Sequence, residues 1–118
     1  MALRKDVVGR MELRPTRVGE FFLRLKARNG EILMHSEGYK RKRSARHCRD
    51  VSLAIFSGKQ RGYFKIIEGK DGKFYVALRA MNHRTLMSTQ GYKSRRFAVS
   101  REWYFKKFYK EVKLVRVR

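Results

Sequence analysis

Along the chain, short stretches of alternating apolar and polar residues give way twice to longer stretches with helical spacing. Glu20 to Arg28 sets Phe21, Leu23, Leu25 and Ala27 on one face and Phe22, Arg24, Lys26 and Arg28 on the other. That is the pattern of an antiparallel strand buried on one side. Met11-Glu12-Leu13 alternates before it, and Pro15 ends that strand or confines it to an edge. Asn29-Gly30 predicts a tight hairpin with a two-residue type I′ turn, from which the chain returns through Glu31 to Glu37. In Ser44 to Phe56, Cys48, Val51 and Ile55 recur at helical spacing, and Gly58 is placed to stop the helix.

The same order of elements is then written again. Adding 53 to each number aligns Gly19–Ala45 with Gly72–Ala98 without a gap, with 12 identities in 27 positions. This is a duplicated supersecondary unit. Met11 and Leu13 correspond to Phe64 and Ile66, which carries the repeat upstream. Lys73 to Met81 repeats the strand, with Phe74, Val76, Leu78 and Ala80 inward, but its turn reads Asn82-His83, and the lost glycine predicts a differently shaped turn. Gly38 and Gly91 are expected at a backbone bend that other residues adopt at a cost. Ser94 to Tyr109 predicts a second helix with Ser94 at the N-cap and Phe97, Ala98, Tyr104, Phe105 and Phe108 on one broad side. Being more aromatic, it is expected to hold more of the core, with Trp103 off the apolar side. Glu111 to Arg118 reads as a final strand that completes the sheet and bridges the halves.

A unit of about 53 residues buries little core alone, so the 118 residues are expected to form one α+β domain. Repeat one covers about 10–58, repeat two about 62–118, and 1–9 forms a basic arm. Cys48, the one cysteine, has no intramolecular partner and falls on the inner side of the first helix, so a buried thiol in a reducing, cytoplasmic compartment is expected. Apolar residues at 42% suit a folded chain. Neither a run long enough to span a bilayer nor a signal-peptide core is found, and no membrane insertion is expected.

Charge changes the picture. Lys and Arg number 31 against 10 Asp and Glu, a net +21, which disfavours the compact state unless a polyanion neutralises it. Each repeat concentrates positive charge where its helix begins: Lys40, Arg41, Lys42 and Arg43 with Arg46, then Lys93, Arg95 and Arg96. A helix N-terminus is already positive, so these side chains oppose helix stability unless an anion such as phosphate sits there. Arg101, Lys106, Lys107 and Lys110 extend the basic surface along the second helix, and Lys59, Arg61, Lys65 and Lys70 carry it through the connector. Tyr39, Tyr92 and Trp103 have two roles open to them, packing or stacking on a base.

The segment Phe-Phe-Leu-Arg-Leu-Lys-Ala-Arg-Asn-Gly at 21–30, then Ser36-Glu37-Gly38-Tyr39-Lys40 and an alanine-bearing helix, resembles the YegP-like family of small bacterial proteins. The resemblance runs from about Met11 to near the end. It implies two strand-strand-strand-helix units sharing one antiparallel sheet, helices on one face, and terminal strands exchanged between the halves. The second unit departs from the pattern at Asn82-His83 and at Thr89-Gln90, which implies drift toward another task. The family supplies no catalytic residues, and its function is poorly defined.

His35, His47 and His83 are scattered, His47 beside Cys48 lacks zinc-site spacing, and no phosphate-cradling glycine loop is present. No metal or cofactor is expected, and an enzyme is disfavoured. No finger, homeodomain or RNP signature argues for base readout. The expected function is contact with the phosphate backbone of nucleic acid, structured RNA ahead of DNA, as a ribosomal or ribonucleoprotein component with neighbouring proteins as further partners. A nucleoid-type or phage-encoded DNA binder, or an adaptor docking on an acidic protein, is the alternative.

Overall fold

The computed structural model describes residues 10–27, 29–108 and 113–114. The expected basic arm over 1–9, Arg28, Lys110 and most of the expected last strand lie outside the described residues. Among the described residues seven strands and two helices follow in order: β1 (Arg10–Pro15), β2 (Phe21–Lys26), β3 (Ile32–His35), α1 (Lys42–Phe56), β4 (Gly62–Glu68), β5 (Phe74–Ala80), β6 (Thr85–Ser88), α2 (Arg95–Phe108) and β7 (Lys113–Leu114). The spatial order is β4-β5-β6-β3-β2-β1-β7, and the first six strands pair antiparallel.

The halves meet where β3 pairs with β6, through His35 opposite Ser88. These positions are 53 apart, so the halves are related by an approximate two-fold axis through that pair. β3 and β6 thus make one joint between the halves, besides the one expected of the last strand. β7 pairs parallel with β1 at the far edge, Arg10 with Lys113 and Met11 with Leu114. Of the exchange of terminal strands implied by the resemblance, the described residues show this one crossing, from the second half to the first.

Alternation places the core on one face. Leu23, Leu25 and Ala27 from the first half and Val76, Leu78 and Ala80 from the second are buried together with Ala45, Cys48, Ile55 and Phe56 of α1 and Ala98 and Phe105 of α2. Both helices therefore cover the same side. Phe64 joins them, with its ring 6.3 Å from Phe56 and 5.8 Å from Phe105. Here the expectation for α2 is overturned: α1 buries five residues, whereas Phe97 of α2 is 51% exposed and Tyr104 is half-buried. Phe97 lies off the side of α2 that faces the sheet, which its neighbour Ala98 takes, so its ring packs on Tyr92 at the margin of the core.

All four hairpins share one loop. The N–H of Gly19, Gly30, Gly72 and His83 donates to the carbonyl three residues back, at Thr16, Ala27, Gly69 and Ala80. Each of these four residues has positive φ, and that of His83 is 69°. This is a three-residue loop ending in a left-handed residue, not a two-residue type I′ turn. The Asn82-His83 turn is thus no exception in shape, because His83 adopts the conformation its counterparts reach through glycine, and Asn82 accepts from Arg84 N–H as Asn29 does from Glu31 N–H.

The second departure is equally conservative. Ser36 Oγ accepts from the buried N–H of Leu23 at 2.8 Å and donates to Glu37 O; Thr89 Oγ1 accepts from Val76 N–H at 3.1 Å and donates to Gln90 O. A hydroxyl is what the position requires. Gly38 and Gly91 do not have positive φ, contrary to expectation. At Gly91 the reason is crowding, since a Cβ would come 2.9 Å from the Tyr75 ring, whereas one at Gly38 would meet only the movable side chain of Glu20.

Candidate nucleic-acid interface

The basic clusters are pinned to the sheet just before each helix begins. Tyr39 exchanges two backbone hydrogen bonds of 2.7 Å with Phe21, and Tyr92 two of 2.8 Å with Phe74. One residue later the positive charge starts. In α1 the N-cap is Arg41, extended at φ −113° and ψ 134°, with no side-chain cap and no acidic residue in the first turn. In α2 Ser94 occupies the equivalent position, and its Oγ accepts from Phe97 N–H at 3.1 Å, as the sequence predicted. Its first turn also lacks an acid.

Lys40, Arg41, Lys42, Arg43, Arg46, Lys93, Arg95 and Arg96 are all exposed. Among the described residues the ion pairs engage other cations: Arg24 and Lys26 with Glu12, Arg49 with Asp50, Arg101 with Glu31 and Lys106 with Glu102. None draws on either cluster. Arg95 lies 5.1 Å above the Phe74 ring, which holds its guanidinium beside the chain that enters α2. The helix starts thus present cations and first-turn N–H groups without the carboxylates that would neutralise them.

The remaining predicted residues separate. Arg101 is turned inward: its guanidinium reaches Glu31 at 3.7 Å and lies 4.9 Å from the Tyr104 ring. Lys106 and Lys107 are exposed in the last turn of α2, where positive charge favours the helix. Tyr92 is 8% exposed with its ring edge-on to Phe97, so it packs and offers no face for a base. Tyr39 is half-buried, and its hydroxyl turns toward Cys48; burial, with Cys48 adding to it, pushes its pKa well up. Trp103 is 60% exposed with Lys107 Nζ 4.7 Å from its ring, leaving it open for stacking. Cys48 is buried and donates to Leu86 O at 3.5 Å, and burial raises its pKa as well. Arg84, absent from the predicted residues, faces α1 across a cleft of about 680 Å³ that Arg43, His47 and Tyr39 also line. The sequence signal for it was the replacement of Glu31 by Arg84 at the equivalent position.

Among the described residues, no three or more of His, Cys, Asp and Glu gather as a metal site, and no helix is long and apolar enough to cross a membrane.

The model of a domain of unknown function, DUF1508, matches residues 17–48 and 70–100, two stretches that begin 53 residues apart. A UPF0339 protein of Photorhabdus laumondii is 34% identical over 86 residues, covering 72% of this chain and 73% of that protein. The chain belongs to the YegP-like family. Its fold is similar to the solution structure of YegP from Escherichia coli, described as a protein of unknown function, with a TM-score of 0.66 and 29% identity over 92% of this chain and 93% of that one. A UPF0339 protein of Shewanella oneidensis gives a TM-score of 0.67 at 25% identity, covering 92% of each chain. Family membership thus accounts for the tandem architecture, and the charge at the helix starts is the feature left for function to explain.

Proposed function

We propose that this protein is a non-enzymatic binder of structured RNA that contacts the phosphate backbone, acting as a ribosomal or other ribonucleoprotein component in a reducing cytoplasm. The observation that carries the reading is the pair of acid-free helix starts, whose eight exposed cations have no ion-pair partner among the described residues. Phosphate satisfies the first-turn N–H groups and neutralises the cations together. A chain at +21 gains further from counterion release. RNA is favoured over DNA because both helices lie packed on the sheet, and neither projects as a recognition helix does into a major groove. Backbone contact supplies affinity and register without base readout, in keeping with a structural component.

Fluorescence anisotropy with a labelled RNA stem-loop and a DNA duplex of equal length tests this between about 50 and 200 mM salt. The expected result is tighter binding to the RNA with a steep loss of affinity as salt rises. Preference for the duplex DNA, or no binding of either at the low-salt end, would overturn it.

A further inference from the structure

The two repeats differ at one equivalent place: a cleft opens there in the first, and an ion pair bridges it in the second. On α2, Arg101 reaches across to Glu31 at 3.7 Å and stacks 4.9 Å from Tyr104, while Phe97 packs edge-on to Tyr92 at 4.9 Å. The Arg101–Glu31 pair bridges α2 and the β2–β3 hairpin. The equivalents of Arg101, Glu31, Tyr104 and Phe97 are Cys48, Arg84, Val51 and Ser44. Each residue on the helix is smaller, and the hairpin carboxylate has become a guanidinium. The space between α1 and the β5–β6 hairpin is therefore open, at about 680 Å³. That volume lies within the roughly 300–1,000 Å³ of small-ligand sites.

The lining has two parts. Arg43, Arg84 and His47 stand at the rim, all exposed, and among the described residues no carboxylate lines the cleft, although the Glu37 charge acts on Tyr39 and Cys48. Tyr39, Val51 and Leu86 supply apolar and aromatic surface within it. Two guanidiniums over such a floor match a ligand with an anionic group on a flat body that has an apolar face and polar edges, beside a lining that also holds Gln60 and Asn82. We infer that this cleft binds one nucleotide, its phosphate held by Arg43 and Arg84 and its base laid against Tyr39 and Leu86. The inference rests on the nucleic-acid reading for one of its two sources, an unpaired nucleotide of an RNA loop, the other being a free mononucleotide. Unpaired loop bases are the part of RNA that a protein can take into such a site.

Amide and side-chain NMR shifts of the full chain, titrated with UMP, AMP, inorganic phosphate, a stem-loop RNA and a blunt RNA duplex, test it. Shifts at Ser44, His47, Cys48 and Leu86 with a mononucleotide support a free-nucleotide site, and the same shifts with the stem-loop alone support the loop source. Arg84→Glu is expected to weaken either at least tenfold. Cys48→Arg with Arg84→Glu imports the bridge of the second repeat and is expected to abolish the shifts; should that variant fail to fold, Arg84→Glu alone decides, since Arg84 is exposed. Inorganic phosphate binding as well as a nucleotide, shifts insensitive to Arg84→Glu, or an unperturbed cleft would each overturn the inference. Binding of the blunt duplex by an Arg84→Glu protein would leave the backbone reading standing by itself.

Discussion

Replacing Arg41 by aspartate and Arg43 by glutamate sets fold stability against binding. Arg41 is the N-cap of α1 and offers no side-chain acceptor, whereas Ser94 caps α2 with a 3.1 Å hydrogen bond. Supplying aspartate there adds about 1 kcal/mol. Each substitution also removes a positive charge from the helix N-terminus and adds a negative one, four steps in all. At exposed positions each step is worth the low end of its range, about 0.3 kcal/mol, which makes the whole change roughly 2 kcal/mol stabilising. For a chain of this length that corresponds to a rise in Tm of about 8 °C, read by calorimetry or far-UV circular dichroism. The same variant loses two phosphate contacts, so the slope of log K against log salt for stem-loop RNA should fall by about 2. Lys65→Glu with Lys70→Glu makes an equal change in net charge at exposed positions away from the clusters and should move both readouts less. A lower Tm with the salt slope intact would refute the reasoning, since it would make these arginines structural.

Other consequences follow from single contacts. Ser36→Ala and Thr89→Val leave the buried N–H of Leu23 and Val76 without its hydroxyl acceptor, and each should cost about 1–3 kcal/mol in urea unfolding. His83→Ala should be less stable than His83→Gly by about 1 kcal/mol, because φ is 69° there; equal stabilities would show that the loop relaxes. Burial works to raise the Glu12 pKa but is outweighed by the hydrogen bond from Arg24 and by the charges of Lys26, Arg24 and Arg14, which leave it below the usual carboxylate value. Its contribution is therefore present above the unfolded pKa of about 4 and lost as pH falls through the lower folded value. Glu12→Gln should accordingly be less stable than the parent at pH 7 and nearly equal to it in strong acid, as measured by thermal melts.

Much of the fold was legible because the repeat states it twice. Alternation at Phe21–Ala27 and Phe74–Ala80 assigned the buried face, and the Ser94 cap and Gly58 stop marked helix ends within a few residues. What failed was set by geometry beyond the local pattern. Asn29-Gly30 fits two hairpin loops, and the choice between them depends on where the strands stop pairing. The core share of α2 was overstated because aromatic content does not report which side chains face the sheet; Phe97 does not, although its neighbour Ala98 does. The edge joined by β7 is a long-range pairing that no window of sequence contains. Of the candidate site, the clusters were visible as charge, but the inward turn of Arg101 required Glu31 to be close, and Arg84 is marked in the sequence only by its change of sign from Glu31.

The claim at the centre of this account is that the chain works on RNA, and it is tested most directly by recovering the untagged protein from its own cells at low salt and sedimenting it with and without RNase or DNase. The account predicts co-sedimentation with ribosomal or other ribonucleoprotein particles that is lost on RNase treatment or at high salt and survives DNase. Release by DNase alone, or sedimentation indifferent to both enzymes, would contradict it, the first in favour of DNA and the second in favour of an acidic protein.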